Sequence, residues 1–209
     1  MFLKSRTHFF SHTKFSSARG FTLVELLVSI AIIVIITSMV LLRYDKFDST
    51  ILLKNTAYDI ALTLREAQVR SVSAMRGGAS QSKYPYGVTF TPGLVSGKEY
   101  TTFRYNDEIA YPKYDGVTTY DVLKTTIDRT MFVSAVCIYG TTIGNPCDAD
   151  RLDISFRRPE YRALFYATDG IDIYSTDITD ATIVLESPKG NEKFEVNISG
   201  LGQITVKKQ

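Results

Sequence analysis

Glu25 is the one ionisable residue in an apolar run of 22 residues that extends from Phe21 to Leu42. A carboxylate in apolar surroundings needs a proton or a counter-charge, because an unpaired desolvated charge is costly. The run is also long enough to cross a bilayer, which takes about 20 apolar residues. The position therefore predicts a carboxylate that forms a functional ion pair within or beside a membrane.

The segment ahead of this run has a positive charge, because it contains four basic residues and no acidic residue from Met1 to Gly20. The bases are Lys4, Arg6, Lys14 and Arg19. A basic leader, a Gly20-Phe21 junction followed by Thr22 and Leu23, and Glu25 in the apolar run together resemble the class III signal of type IV prepilins and type II secretion pseudopilins. The resemblance implies that a membrane prepilin peptidase cuts after Gly20 on the cytoplasmic side and then N-methylates Phe21.

Two other kinds of N-terminal segment fit less well. An ordinary secretory signal has an apolar core of about 7–15 residues and a small-residue cleavage site after it. No A-x-A pattern follows Leu42. A plain membrane anchor fits the length of the run but gives no role to Glu25.

The charge distribution indicates orientation and argues against nucleic acid as a partner. The chain has 24 Lys and Arg against 22 Asp and Glu, and four of the bases but none of the acids precede Phe21. Removal of the leader therefore leaves a net charge of −2. Basic residues before a span hold that end in the cytoplasm, so we expect an inner-membrane protein with its C-terminal part outside. Nucleic-acid binding gains nothing from this charge.

Both histidines, His8 and His12, lie in the leader. The processed chain then has no histidine for a Ser-His-Asp or Cys-His site or for a metal. We expect no enzyme activity, no cofactor and no metal site.

A long helix is predicted next, because no Gly or Pro occurs from Phe21 to Arg76 and Gly77-Gly78 is a strong helix stop. Residues 21–42 would be the transmembrane and assembly helix, and residues 43–76 its amphipathic continuation. The continuation carries a small or apolar residue at alternating steps of four and three. These residues are Leu53, Ala57, Ile60, Leu64, Ala67, Ser71 and Ala74.

Residues 78–209 are expected to form one β-rich domain. The period changes to two in Leu152–Phe156, Phe194–Ile198 and Ile204–Val206, which is typical of half-buried strands. Further strands are expected at Tyr86–Phe90, Tyr100–Asn106, Met131–Tyr139, Ala163–Ala167 and Thr182–Glu186. Turn residues between them favour an antiparallel sheet with one wet face, and the amphipathic helix would cover the other face.

One helix followed by such a sheet is also what the resemblance implies, since the type IV pilin fold is α+β with this order. The closing strands and the helix passage Ala61–Ala67 are similar to those of the H-type minor pseudopilins, the GspH/FimT group. That group often has a basic residue after the last turn glycine. Here Gln203 follows Gly202, which again argues against DNA as a partner.

Cys137 and Cys147 are the only cysteines. In an exported domain such a pair predicts a disulfide, worth about 2.7 kcal/mol for a loop of this length; two reduced, buried thiols are the alternative.

Three acidic residues, Asp148, Asp150 and Asp153, follow Cys147 closely. Because they lack EF-hand spacing, we expect a solvated loop rather than a calcium site.

The sequence as a whole predicts a minor pilin or pseudopilin of a type IV pilus or type II secretion system. The resemblance implies three partners: the prepilin peptidase, other pilins, and an inner-membrane assembly platform. It also implies that Glu25 meets the N-terminal amine of a neighbouring subunit. A major pilin is the alternative in the same class. An extracytoplasmic adhesin or ligand-binding domain on a pilin anchor is the alternative from another class.

Overall fold

The computed structural model describes residues 20–73, 85–105, 113–116, 119–127, 131–140, 146–156, 161–169, 172–174, 178–188 and 192–209, with the backbone alone at 42–48, 121 and 172–174. The chain divides into two compact units, Met1–Arg43 and Tyr44–Gln209. The boundary falls inside helix α1, which spans Leu23–Ser73. The predicted helix stop at Gly77-Gly78 lies outside the described residues.

The second unit contains ten strands in the described part of the chain. They are β1 Tyr86–Phe90, β2 Glu99–Tyr105, β3 Thr119–Thr126, β4 Phe132–Gly140, β5 Arg151–Phe156, β6 Ala163–Thr168, β7 Asp172–Tyr174, β8 Ile178–Glu186, β9 Lys193–Ser199 and β10 Ile204–Lys208. All eight predicted strands are confirmed, with ends that differ by up to four residues. The α+β class is likewise confirmed.

The strands form two antiparallel sheets rather than the single sheet expected. One has six strands in the order β3-β2-β1-β5-β6-β7, and the other has four in the order β10-β9-β8-β4. In β9, the buried side chains of Phe194, Val196 and Ile198 alternate with half-buried ones, as the period of two predicts.

The core lies between the two sheets and the part of α1 that belongs to this unit. The predicted helix face is buried from Leu53 to Ser71, and Ala74 lies outside the described residues. Leu53, Ile60 and Leu64 pack in one apolar cluster with residues of both sheets, among them Phe90, Ile154, Ile183 and Val196. A helix with small and apolar residues on one face thus buries that face against two sheets at once.

The prediction of one wet face is wrong for the six-stranded sheet. Phe103, Tyr105 and Tyr166 point away from the main core and are almost completely buried. The ring of Phe103 lies over Gly87, its cross-strand partner, where a Cβ atom would approach the ring to 2.5 Å. The ring of Tyr114, in the segment 113–116, packs on Phe103 with centroids 5.5 Å apart. This segment therefore covers a face that hairpin topology alone leaves open to water.

Candidate functional site

The start of helix α1 brings together the residues to which the sequence assigns a function. Thr22 caps the helix: the Glu25 N–H donates to Thr22 Oγ1 at 3.2 Å, and the Leu26 N–H donates to the Thr22 carbonyl at 3.1 Å. A Thr with Glu three residues later is the sequence signature of a capping box. Thr22 is therefore the residue that caps the helix, a role that the sequence signature could have identified.

Glu25 lies in the first turn of α1. The N-terminal end of a helix carries a partial positive charge, so an acidic residue there stabilises the helix by about 0.3–1 kcal/mol. Glu25 thus has a local role at the helix start in addition to the docking role that the sequence predicts for it.

The Gly20-Phe21 bond lies outside the helix. Residues 20–22 have no regular secondary structure, and the side chain of Phe21 is 75% exposed. None of the described residues comes within 4 Å of the position where Gly20 would carry a Cβ atom. An irregular, exposed peptide bond is the geometry in which a peptidase can bind its substrate.

A spacing of four residues would place Phe21 and Glu25 on one face if both belonged to the same helix, but Phe21 lies before the first helical residue, Leu23. The first intrahelical hydrogen bond runs to the carbonyl of Thr22, so Phe21 stands one residue outside the cap. The Thr22 hydroxyl occupies the Glu25 N–H and fixes the start of the helix there. A contact between the Phe21 amine and the Glu25 carboxylate of the same chain would require the backbone before Thr22 to turn back.

Leu23–Leu41 is the candidate membrane span, and by length and composition it can cross a bilayer. Its apolar side chains are exposed all around the helix within the described residues. Two of its hydroxyl groups are satisfied by the helix itself: Ser29 donates to the Glu25 carbonyl at 2.7 Å and Thr37 to the Ile33 carbonyl at 2.6 Å. Such hydrogen bonds to the backbone one turn earlier make these hydroxyl groups compatible with lipid or with other apolar helices.

A protein-family model described as the prokaryotic N-terminal methylation motif matches residues 15–41. Residues 15–41 are a prepilin-type signal. No curated protein and no solved structure matches the chain. The chain thus carries the signal of type IV pilins and pseudopilins. The matched residues include Gly20, Phe21 and Glu25, the positions for which the sequence predicts cleavage, methylation and assembly.

The predicted disulfide between Cys137 and Cys147 is present in the second unit. Cys137 is buried in β4, and Cys147 is exposed in the segment that follows the strand. The Ile138 N–H donates to the Pro146 carbonyl at 2.6 Å beside it, while the Gly93 N–H donates to the Val133 carbonyl further along the strand. These contacts protect β4, an edge strand, against pairing with another chain.

Asp153 lies in β5, within the predicted strand Leu152–Phe156, but its side chain is fully buried, so the expectation of a solvated carboxylate is wrong for this residue. Its Oδ2 accepts a hydrogen bond from the Tyr114 N–H at 2.8 Å, and its Oδ1 lies 3.3 Å from Arg151 Nε. Burial raises the pKa of Asp153 to about 6, against smaller opposing effects of Thr89, Arg151, the Tyr114 N–H and Lys113.

The surroundings of Asp153 indicate a structural role. The cations of Lys113 and Arg151 lie over the ring of Tyr166 at 5.3 Å and 5.4 Å. General acid–base catalysis would need a reacting group within hydrogen-bond reach, whereas this carboxylate is enclosed by its own chain. Through its hydrogen bond with the Tyr114 N–H, Asp153 holds segment 113–116 against the six-stranded sheet.

Proposed function

We propose that this chain is a minor pilin or pseudopilin, a structural subunit of a bacterial type IV pilus or type II secretion pseudopilus. The observation that carries the proposal is the prepilin signal at residues 15–41, with an exposed Gly20-Phe21 bond and a capped apolar helix directly after it. The role is structural rather than enzymatic, as is usual for proteins with this signal.

In this proposal the prepilin peptidase removes residues 1–20 and methylates the new N-terminus at Phe21. The basic leader stays in the cytoplasm, and residues 44–209 are exported while Leu23–Leu41 anchors the subunit in the inner membrane. The assembly platform then extracts the subunit from the membrane. Other pilins replace lipid around the exposed apolar side chains of this segment.

Glu25 supplies the docking charge. Because the cap separates Phe21 from Glu25 within one chain, a neighbouring subunit is the better source of the amine that pairs with this carboxylate. The low dielectric of an apolar bundle strengthens the attraction between the two charges. A buried charge left without its partner costs about 3–5 kcal/mol, so the pair favours subunits that join behind another subunit.

The test compares incorporation of three forms of the full chain into sheared filaments or into cross-links with other pilins. Glu25→Leu removes the docking charge, and Glu99→Leu removes an exposed carboxylate on β2 as the matched control. We expect leader cleavage and membrane insertion in all three forms, with incorporation reduced at least tenfold in Glu25→Leu alone. Wild-type incorporation of Glu25→Leu would contradict the docking role and favour an anchored adhesin or ligand-binding domain.

A quantitative count in the same filaments separates the two pilin roles. A minor pilin is present in few copies relative to the main subunit, whereas a major pilin forms most of the filament mass. We expect the low copy number. A preparation in which this chain is the main protein would assign it as a major pilin.

A further inference from the structure

The part of α1 that belongs to the second unit has an apolar stripe on its outer side. Four exposed apolar residues follow one another at steps of seven, four and seven, and we call them the outer seam: Ile51, Tyr58, Leu62 and Val69. At 3.6 residues per turn these positions lie on one line along the helix. The line is directly opposite the buried face that contains Leu53, Ile60 and Leu64.

Alignment along one helix face distinguishes the outer seam from the other exposed apolar residues. Its side chains are 42%, 49%, 62% and 58% exposed, in chain order. Single exposed apolar residues are common, but four of them aligned on one helix face indicate a contact with another molecule. Steps of seven and four are the spacing of a helix that packs lengthwise against a second helix.

We propose that the outer seam docks, in parallel orientation, on the outer seam of a second copy of this chain in the membrane. The proposal rests on the proposed function, since two copies anchored by the same prepilin signal enter the membrane in the same direction. The proposal goes beyond that function because it assigns a contact surface outside the membrane span and identifies a second copy of the chain as its partner.

Charges beside the seam favour the parallel orientation. Lys54 lies on one flank and Asp59 on the other, five residues later. In a parallel pair of helices, a residue on one side of the seam contacts the residue five positions later on the other side of the partner's seam. Lys54 of each copy is therefore next to Asp59 of the other copy, which gives two ion pairs in the dimer. An antiparallel pair would instead bring like flanks, and therefore like charges, together.

The two charges are available for this contact. Neither Lys54 nor Asp59 takes part in an ion pair among the described residues; Lys54 Nζ only lies over the ring of Tyr58, 5.9 Å from its centre. They cannot neutralise each other within one helix, because residues five apart do not face each other.

Two polar residues on the seam line are consistent with the same pairing. Asn55 is exposed between Ile51 and Tyr58, at a position where a polar residue sets the register of paired helices. Arg65 interrupts the line between Leu62 and Val69, but its guanidinium is turned aside and donates to the Ile204 carbonyl at 3.4 Å. The line therefore has apolar side chains at the four seam positions, one register-setting amide, and one arginine whose guanidinium is directed toward Ile204.

Disulfide cross-linking in membranes that contain the full chain and the peptidase tests the proposal. Ile51→Cys and Leu62→Cys each add a thiol to the seam, while Cys137 and Cys147 remain oxidised. Leu123→Cys is the matched control, since Leu123 on β3 is 63% exposed against 62% for Leu62. We expect both seam variants to give at least five times more cross-linked dimer than the control.

The use of two seam positions identifies the orientation. Ile51 and Leu62 are roughly 16 Å apart along the helix, and in an antiparallel pair only one point can face its own copy. Cross-linking at one position alone would overturn the parallel arrangement. Equal cross-linking in Leu62→Cys and Leu123→Cys, or a product with a polypeptide of another size, would overturn the proposal itself.

A charge-reversal arm tests the predicted pair. In the Leu62→Cys background, Lys54→Asp places like charges opposite each other and should reduce the dimer at least threefold. Adding Asp59→Lys should restore it, because the pair is then reversed in both copies; failure to restore would contradict the register. Intact mass of the same samples reports leader removal, so failure of the prepilin assignment is distinguishable from failure of the seam.

Discussion

The Glu25 N–H donates a hydrogen bond to Thr22 Oγ1 across 3.2 Å, so helix α1 starts two residues after the Gly20-Phe21 bond. The bond at which we propose cleavage therefore lies in irregular backbone, while the candidate membrane span is helical from its first turn. Thr22 separates the two, because it is the last irregular residue and its hydroxyl caps the helix.

Loss of this cap should loosen the first turn. Thr22→Ala removes the side-chain acceptor, which typically costs about 1 kcal/mol. In detergent-solubilised protein we expect the Glu25 and Leu26 amides to exchange with solvent about fivefold faster. Thr37→Ala is the control, since the Thr37 hydroxyl donates to the Ile33 carbonyl and caps nothing. Unchanged exchange in Thr22→Ala would show that another group fixes the helix start.

A fragment of residues 49–209 should be soluble and folded, because it contains the whole apolar core of the second unit. We expect a mixed α/β circular dichroism spectrum and a cooperative unfolding transition. We also expect a monomer at micromolar concentrations, since a seam of four side chains buries little area without a membrane to concentrate the copies. Aggregation under all conditions, or an unfolded spectrum, would contradict the division of the chain into two units.

The pH dependence of this fragment should contain an unusual contribution from Asp153. Its pKa is raised from 3.8 in the unfolded chain to about 6 in the folded state, so folding favours the protonated carboxyl group. The resulting stabilisation of the folded state is therefore complete below pH 3.8 and is lost as the pH rises through about 6. Asp153→Asn cannot ionise and keeps an acceptor for the Tyr114 N–H.

Urea unfolding at pH 4 and pH 7 measures this contribution. From pH 4 to pH 7, we expect the free energy of unfolding of the wild type to fall by about 2–3 kcal/mol relative to that of Asp153→Asn. Asp150→Asn, which changes an exposed neighbour, is the control and should follow wild type. A difference between wild type and Asp153→Asn that is constant with pH would show that burial does not perturb this carboxylate.

The disulfide should stabilise the fragment through its loop. A loop closed across a sequence separation of 10 contributes about 2.7 kcal/mol in the chain-entropy model. We expect Cys137→Ala with Cys147→Ser to lower the free energy of unfolding by about that amount, and the oxidised wild type to show no free thiol when denatured. Two titratable thiols in that sample, or an unchanged midpoint in the double variant, would contradict this role.

Regular patterns made most of the fold predictable. Alternation in Phe194–Ile198 and the stepwise apolar face from Leu53 to Ser71 each reflect one buried side of one element. Strand β3 gave no such signal, because Val122 and Leu123 are adjacent and both exposed at the edge of the sheet. Strand β7 has only three residues, which is too short for any period to appear.

The second buried face could not be predicted from local pattern. Asp153 does alternate with Leu152 and Ile154, so its direction out of the main core follows from the sequence. What covers it does not, because Tyr114 reaches it from a segment 39 residues earlier. In contrast, the prepilin signal was predictable, since the motif consists of contiguous residues, 15–41, and does not depend on tertiary contacts.

The intact mass of the protein extracted from its native membrane decides whether the prepilin signal is used. We expect one species that lacks residues 1–20 and carries one additional methyl group, which fragmentation places on the amine of Phe21. A mass that retains the leader, or a chain that starts beyond Leu42, would contradict the assignment of residues 15–41 as a functional prepilin signal.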